Sequence, residues 1–357
     1  AIGNHLRRSG NIYHTLLVSI LLILLFEPYF LFDVGFQLSY LALLFIVWLQ
    51  PELKKIWTPK NKISIYIWDA LTVSFAAQIG TLPLCLYYFH QFPGLFFVTN
   101  IVILPILSFI MIAGIIVMII AIFVSPPIFL VEIFEKSIYL LNLTIHYVAS
   151  FESFVFQNIS FNSYYLFSLY FLIISCIVWS KNRTYSHFIA FALSIISLQL
   201  SLIYTKKEIT NQHELIVYNV KKNTLITTRA GKNITFYAAD TILKSSTRNF
   251  ILNSYLVGNF GILSEPKKIK NTLFFNGKKI LIIDSTGIYV DKLQPDILIL
   301  TQSPKINLDR VLADLHPKII VADASNSYKI QKIWEASCAK KNIPFHATAE
   351  KGFYKLN

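Results

Sequence analysis

The chain has 357 residues, of which 55% are hydrophobic, and its mean hydropathy of +0.55 is too high for an ordinary soluble domain. This composition excludes a purely soluble enzyme or binding module and predicts several membrane spans. The formal net charge is +13, and about +11 of it lies after Tyr204, where 23 Lys and Arg face 12 Asp and Glu. A basic tail attracts nucleic acid or anionic lipid, although a well-solvated surface accounts for the same charge.

Apolar runs fill the first 204 residues. The first two are shorter than the roughly 20 residues that an upright span needs, so interfacial or half-inserted elements are expected among them. Pro83 and Pro105 lie inside the third and fourth runs and predict broken, kinked or re-entrant helices, because proline removes an amide donor. We count about seven runs, at 12–26, 36–49, 70–88, 95–124, 128–148, 164–179 and 187–204.

A polar stripe marks the fifth run. Glu132, Glu135, Asn142 and His146 follow one another at steps of three, seven and four, which places them on one helix face. The stripe either lines an aqueous interior or lies in the headgroup plane. Three ionisable groups within five residues, ending at Lys136, favour the headgroup plane.

The distribution of basic residues predicts an orientation. Seven crossings place the segments around Arg7, Lys54 and Lys181 on one side of the membrane. The positive-inside rule makes that side the cytoplasm, and the tail is then expected outside. The prediction depends on parity, because one interfacial element among the seven reverses the side of the tail.

The tail from residue 205 to 357 has the composition of a soluble α/β domain. Short segments rich in β-branched and aromatic residues predict strands, and one segment, 326–341, predicts a helix. The alternation in its second half indicates an α/β sandwich of about 150 residues. The predicted strands are 214–220, 223–229, 233–239, 250–257, 272–275, 279–284, 296–300, 318–322 and 345–354.

Polar side chains inside the apolar runs are the candidate functional groups of the membrane part, because lipid solvates them poorly. They either satisfy helix ends and interhelical hydrogen bonds or line a hydrated pathway. A pathway of neutral polar groups passes a polyanion without trapping it, since conduction needs weak, exchangeable contacts. The candidates are Asp33, Gly35, Gln37, Ser39, Gln78, Gly80, Thr81, Pro83, Asn100 and Pro105, with Asn142 and His146 beside them.

Enzymatic motifs are missing from the sequence. The eight histidines form no HxH, HxxxH or HExxH, the three cysteines form no CxxC, and there is no P-loop or GxSxG. The tail carboxylates Asp284, Asp309 and Asp323 lie near predicted strand ends, where sites are common. Without partner histidines, we expect no bound metal, no cofactor and no catalysis.

Three segments of the membrane part carry a family resemblance. Residues 33–42, DVGFQLSYLA, followed by Gln50 and Pro51, resemble the DxGFQLSxLA signature of the ComEC competence channel family. Residues 76–92 resemble the AAQxGTLPLxxxxFxQF segment of that family, and residues 100–105 resemble its NxxxxP. The order and spacing of the three segments fit, and the resemblance covers about residues 1–204.

The tail resembles a degenerate metallo-β-lactamase sandwich. Residues 277–287 resemble the strand and turn that read LIDxG in that superfamily, and residues 296–301 resemble the strand before its HxHxDH metal motif. At the motif itself the chain has Gln302, Pro304, Ile306 and Asn307. These side chains are poor zinc ligands. The nuclease chemistry proposed for intact members is therefore not carried over.

The resemblance implies a bacterial inner-membrane protein of natural transformation. It implies a channel that passes single-stranded DNA into the cytoplasm, served by a DNA-receptor protein and a cytoplasmic helicase-type motor. Family members carry an N-terminal domain upstream of the membrane part, so a missing upstream segment is expected. Two alternatives remain open on the residues alone: a small-solute transporter with an accessory domain, and a membrane-tethered hydrolase or nuclease.

Overall fold

A computed structural model describes residues 12–151, 154–238, 246–264, 267–290 and 293–357. The predicted orientation depends in part on the basic segment that contains Arg7 and Arg8, and this segment lies outside the described residues. The chain divides into two compact units, with the boundary between Leu202 and Ile203. The first unit is helical, and the second contains the sheets.

The helices of the first unit follow the apolar runs. After α1 and a short 3-10 helix at Pro28–Phe32, each helix is joined to the next by a short connection. Two strands, β1 at Phe92–Pro93 and β2 at Val155–Phe156, pair antiparallel beside the helix ends. The helices are α1 Ile12–Phe26, α2 Val34–Lys54, α3 Lys62–Phe89, α4 Phe96–Phe123, α5 Ile128–Ala149, α6 Ser163–Lys181 and α7 Tyr185–Asn211.

Five of these helices, α2, α3, α4, α6 and α7, are long and apolar enough to cross a membrane. Helix α1 is apolar but has only 15 residues. Helix α5 has 22 residues but carries the charges of Glu132, Glu135 and Lys136, all exposed. The membrane part is thus a multi-pass helical unit with five candidate spans among its described residues.

The prediction of helices broken at proline was wrong. Helix α3 runs for 28 residues through Pro83, and α4 runs for 28 residues through Pro105. Proline removes one amide donor from a helix, but in an apolar bundle the remaining backbone hydrogen bonds are retained, because lipid offers no alternative partner.

The core of the bundle lies where α2, α3 and α6 meet. Phe45 and Leu49 of α2 pack against Ala76 of α3 and Ile177 of α6, and all four are buried. Two helices of the bundle begin with a side-chain cap: Asp33 accepts a hydrogen bond from Phe36 N at 2.7 Å at the start of α2, and Asn162 accepts one from Tyr165 N at the start of α6.

The second unit contains two sheets. Strands β8 to β12 form one sheet in the order β12-β11-β10-β9-β8, in which β9 to β12 are parallel and β8 is antiparallel to β9. The other has the order β13-β3-β4-β5-β6, with β7 also paired to β5. The strands are β3 His213–Val217, β4 Leu225–Ala230, β5 Asn233–Ala238, β6 Ile262–Leu263, β7 Lys267–Lys268, β8 Thr272–Phe275, β9 Lys278–Ile283, β10 Ile297–Leu300, β11 Ile319–Ala322, β12 Phe345–Ala347 and β13 Tyr354–Leu356.

Helices complete the second unit: α8 Ser246–Gly258, α9 Leu308–Leu315, α10 Tyr328–Lys340 and α11 Thr348–Lys351. Side chains from both sheets form one buried cluster that includes Leu215, Ile226 and Ile282. A second cluster joins β9, β10 and β11 to α9 and α10 through residues such as Leu312 and Trp334. Helices α9 and α10 therefore cover one face of this sheet at β9 to β11, and the other sheet packs against the opposite face.

Three predictions in the tail need correction. The predicted strand at 250–257 is part of helix α8, where Leu252, Tyr255 and Leu256 repeat at helical spacing and pack on one cluster. Helix α9 was missed because it has only eight residues. The predicted last strand at 345–354 is two short strands separated by α11.

Candidate functional site

The start of α2 holds the first group of candidate residues together. Asp33 caps the helix, and a Cβ on Gly35 would lie 3.1 Å from the Asp33 carboxylate. Gln37 bridges two elements: its Nε2 donates to the Leu31 carbonyl at 2.8 Å, and its Oε1 accepts from the Tyr88 hydroxyl at 3.0 Å. Gln37 thus ties the entry to α2 to the end of α3.

A stripe of polar side chains follows one face of α3. Ser74, Gln78, Thr81, Cys85 and Tyr88 occur at steps of four, three, four and three, which is the spacing of one helix face. The stripe spans about 21 Å at 1.5 Å per residue. Because Tyr88 donates to Gln37, the α3 stripe continues into the polar start of α2.

The middle of the α3 stripe is not satisfied. Ser74 is 2% exposed, and neither its hydroxyl nor the Gln78 Nε2 has a hydrogen-bond partner among the described residues. Thr81, one turn further on, donates to the carbonyl of Ala77 at 3.0 Å. Leaving a buried amide without a hydrogen bond costs about 1–3 kcal/mol of stability. These groups therefore favour contact with water or with a polar ligand.

Gly80 and Pro83 lie on the opposite face of α3, where they let helices approach. A Cβ on Gly80 would meet the Phe45 ring at 2.5 Å, so any larger residue displaces α2. Pro83 is buried beside it. The Gly80 carbonyl accepts from the Tyr170 hydroxyl of α6 at 3.0 Å. This face is a packing surface rather than part of a pathway.

The remaining membrane candidates lie apart from the α3 stripe. Ser39 is exposed on α2, and Pro105 is exposed on α4. Asn100 lines a separate cavity of about 340 Å³ between α4 and α5. Asn142 and His146 are exposed on α5.

A larger cavity of about 680 Å³ opens between α2, α3, α6 and α7. Its walls are mainly apolar, with Ile79, Ile173 and Ile177 among them. At its polar end, Lys181 donates to the Trp48 carbonyl at 2.8 Å and lies 3.8 Å from Glu52. The α3 stripe residues do not line this cavity, so a polar ligand finds few partners in it.

In the tail, the ends of three parallel strands bring a second polar group together. Asp284 follows β9, Gln302 follows β10 and Asp323 follows β11. The Ser285 hydroxyl donates to Gln302 Oε1 at 3.2 Å, and Gln302 N donates to Ser325 Oγ at 2.6 Å. The predicted carboxylates Asp284 and Asp323 thus lie at one sheet edge.

Asp323 is fully buried at this edge and holds its loop in place. Its carboxylate accepts from Thr224 Oγ1 at 2.5 Å, from Ser325 N at 3.1 Å and from Asn326 Nδ2 at 3.0 Å, and also from the Ser325 hydroxyl. Burial raises the pKa of Asp323 to about 6, against the opposing effect of these hydrogen bonds. Asn326 Oδ1 accepts from Ser303 N at 2.8 Å, which fixes the loop after β10.

The four residues at the positions of the HxHxDH metal motif have structural roles in the loop after β10 and at the start of α9. Gln302 adopts a left-handed backbone at φ 59°, and Pro304 is buried. Ile306 packs against the cluster on α9, and the Asn307 side chain caps α9 by accepting from Arg310 N at 3.3 Å. Asp309 lies in the first turn of α9. Among the described residues, no three His, Cys, Asp or Glu side chains cluster closely enough to hold a metal ion.

Sequence reasoning missed several of these participants. Ser74 and Cys85 were not singled out, although the steps of four, three and four from Ser74 to Cys85 carry the signal. Tyr170 and Thr224 gave no signal, because their partners lie 90 and 99 residues away in sequence.

The fold and these sites define a class of protein: a multi-pass helical membrane protein with an α/β domain attached. Models of two known protein families match the chain. The family model for competence proteins matches residues 1–183, and that for the ComEC C-terminal domain matches residues 215–357. The chain therefore belongs to the ComEC family of competence proteins.

A curated relative covers part of the chain. ComE operon protein 3 of Bacillus subtilis (strain 168) is 33% identical over 97 residues, which are 27% of this chain and 12% of that protein. The match thus spans about an eighth of the relative's length. No solved structure matches the chain. Membership of this family points to a role in DNA uptake.

Proposed function

We propose that the chain forms an inner-membrane pathway that passes single-stranded DNA into the cytoplasm during natural transformation. The observation that carries the proposal is the buried Gln78 Nε2 on the α3 stripe, which has no hydrogen-bond partner within the part of the chain that the structure describes. Such a group is expensive in lipid but useful beside water or a passing strand. Neutral amides and hydroxyls contact phosphates without binding them tightly enough to stop conduction.

The helix contacts support an alternating course of seven helices. Lys54 of α2 pairs with Asp69 of α3 at 2.7 Å, and Lys181 of α6 reaches Trp48 of α2, so these ends lie together. At the other end, Ile159 N donates to the His90 carbonyl at 2.9 Å. With α1 and α5 counted as crossings, the basic end faces the cytoplasm and the tail lies outside.

The tail is proposed to be a degenerate metallo-β-lactamase-like domain that guides DNA without cutting it. Two packed sheets with helices beside the parallel strands support this architecture. Asp323, at the sheet edge where a metal would bind, instead accepts hydrogen bonds from its own neighbours. Threading is assigned to partners: a DNA receptor outside and a helicase-type motor in the cytoplasm, since the sequence has no P-loop.

The test follows labelled double-stranded DNA into cells whose only copy of the protein is a variant. Gln78→Leu and Gln37→Leu should stop DNA entry into the cytoplasm while membrane insertion persists. Ser39→Leu is the matched control, because Ser39 is an exposed polar residue on α2 outside the α3 stripe. Normal DNA entry in cells lacking the protein would overturn the proposal and favour a small-solute transporter.

A further inference from the structure

The edge strand β8 presents an exposed aromatic side chain on a basic face. Phe274 is 71% exposed, although its strand neighbours Leu273 and Phe275 are buried between the sheets. In the antiparallel ladder Phe274 lies directly opposite Lys279, which is also exposed. The pair places an exposed aromatic face and a positive charge side by side at the edge of the sheet.

Further lysines extend this surface along the strand. Thr272 precedes Phe274 by two positions in β8, so both side chains point to one face of the strand. Lys270 lies two residues before the strand and is exposed. Lys278 begins β9 opposite Phe275, so its side chain leaves the other face of the ladder from that of Lys279, at the exposed end of the hairpin. Lys267 lies in β7 upstream. We call Lys270, Thr272, Phe274, Lys278 and Lys279 the β8 platform.

The charges on the β8 platform are available. Lys270, Lys278 and Lys279 are exposed and make no ion pair within the part of the chain that the structure describes. The nearby Asp296 is already paired with Lys318 at 2.8 Å, and it accepts from the backbone of Lys279 rather than from its ammonium group. The three lysines are therefore exposed to solvent, and the Lys278 charge is also attracted to the Asp296 carboxylate.

We propose that the β8 platform binds single-stranded DNA, with a base stacked on Phe274 and phosphates on Lys278 and Lys279. Single-stranded nucleic acid is held by aromatic rings that stack with unpaired bases and by cations that follow the backbone. Paired bases in a duplex offer no free face to Phe274. The proposal rests on the proposed function, because it assigns the same DNA strand a docking surface on the tail.

The platform is distinct from the sheet edge that carries Asp284 and Asp323. Phe274 of β8 pairs with Lys279 near the start of β9, whereas Asp284 follows the end of β9. A DNA strand bound to the platform would follow the β8 edge of the sheet and would not contact the loops that carry Asp284 and Asp323.

The experiment measures binding of a fluorescent 20-nucleotide single strand and the matching duplex to the full chain in nanodiscs of neutral lipid. Phe274→Ala should weaken single-strand binding about tenfold and leave duplex binding unchanged, whereas Phe274→Trp should retain it. Lys278→Ala with Lys279→Ala should weaken both and reduce the salt slope for the single strand by about 1.4. Lys221→Ala with Lys222→Ala removes two exposed lysines from another turn and should have a smaller effect.

The outcomes separate this inference from the pathway proposal. Equal loss from both lysine pairs, or no effect of Phe274→Ala, would overturn the platform by showing that net charge alone binds DNA. The platform would likewise be overturned if Phe274→Ala weakened binding of the protein to anionic vesicles but not to the single strand. Cells lacking the protein that still take up DNA would overturn the pathway, even if the nanodisc result supports the platform.

Discussion

The membrane bundle and the tail treat buried polar side chains differently. In the tail, Arg229 is 1% exposed, donates to Gly231 and Asn259 carbonyls at 2.9 Å each and lies 3.5 Å from Glu214. In the bundle, the buried Nε2 of the half-buried Gln78 has no partner among the described residues. Buried charge in the tail is thus used to fix the fold, whereas the amide in the bundle is left available.

The contrast concerns amides and charges rather than hydroxyls. Within the described part of the tail, the Thr348 hydroxyl is buried without a partner, as is that of Ser74 in the bundle. Burying one hydroxyl without a hydrogen bond costs less free energy than burying an amide or a charge without one. The comparison therefore depends on Gln78, and the predictions below test its two sides.

The largest effect is expected at Arg229. Arg229→Met leaves Glu214 buried with only Lys355 and Tyr255, and breaking a buried pair from one side costs about 3 kcal/mol or more. Burial opposes ionisation of Glu214, but hydrogen bonds from Lys355 and Tyr255 and the charge of Arg229 lower its pKa. Urea unfolding of the tail, followed by hydrogen exchange in β3 and β4, measures the loss.

A matched control for Arg229 exists in the same unit. Lys332 pairs with Glu335 at 2.8 Å and Glu350 at 3.0 Å on the surface. Lys332→Met should cost far less than Arg229→Met, because exposed ion pairs contribute little to stability. Similar losses from the two variants would show that the Arg229 network does not fix the tail.

Asp323 should give the tail a measurable dependence on pH. Its folded pKa of about 6 lies above the ordinary 3.8, so between these values the folded tail holds one more proton than the unfolded chain. Stability should therefore fall as the pH rises from about 4 to about 6, by up to about 3 kcal/mol. Urea unfolding at pH 4.5 and 7.0 measures this difference.

The Asn variant isolates the cause. Asp323→Asn keeps an oxygen that accepts from Ser325 and Asn326 but cannot ionise, so the pH dependence in this range should disappear. If the variant keeps the wild-type dependence, another group in the tail titrates there.

Gly80 tests the packing face of α3 against its polar face. Gly80→Ala adds a methyl group 2.5 Å from the Phe45 ring and should cost about 2 kcal/mol in detergent melting, because α2 must move. Phe45→Leu should recover part of the loss when combined with it. If Gly80→Ala is as stable as wild type, the two helices are less tightly packed than the contact implies.

Much of the fold was predictable because its signals are local. Apolar runs located the helices of the bundle, and alternating strands located most of the sheets. Helix α8 was misread because β-branched and aromatic residues favour strands until Leu252 and Tyr255 are seen packing at helical spacing. Continuity through Pro83 was not predictable, since it depends on the apolar surroundings of α3.

The candidate site was only partly predictable. Gln37 and Gln78 stood out as amides in apolar runs, but Tyr88 and Thr224 acquire their partners through tertiary contacts. The sequence leaves Gly80 open between helix packing and a polar pathway, because a motif does not separate residues that approach a neighbour from residues that face a pathway. The close approach of Phe45 places Gly80 on the packing face.

The smallest effect is expected at Gln302. Gln302→Ala removes one exposed hydrogen bond with Ser285, while the backbone amide of residue 302 still donates to Ser325. Both residue types have a Cβ and tolerate the left-handed backbone about equally, so the stability change should stay within about 0.5 kcal/mol. DNA uptake should also be unchanged, because Gln302 is assigned no contact with the strand. A large loss of uptake in a stably folded Gln302→Ala protein would mean that the sheet edge of the tail takes part in function, and the contrast between a fixed tail and an available pathway would then fail.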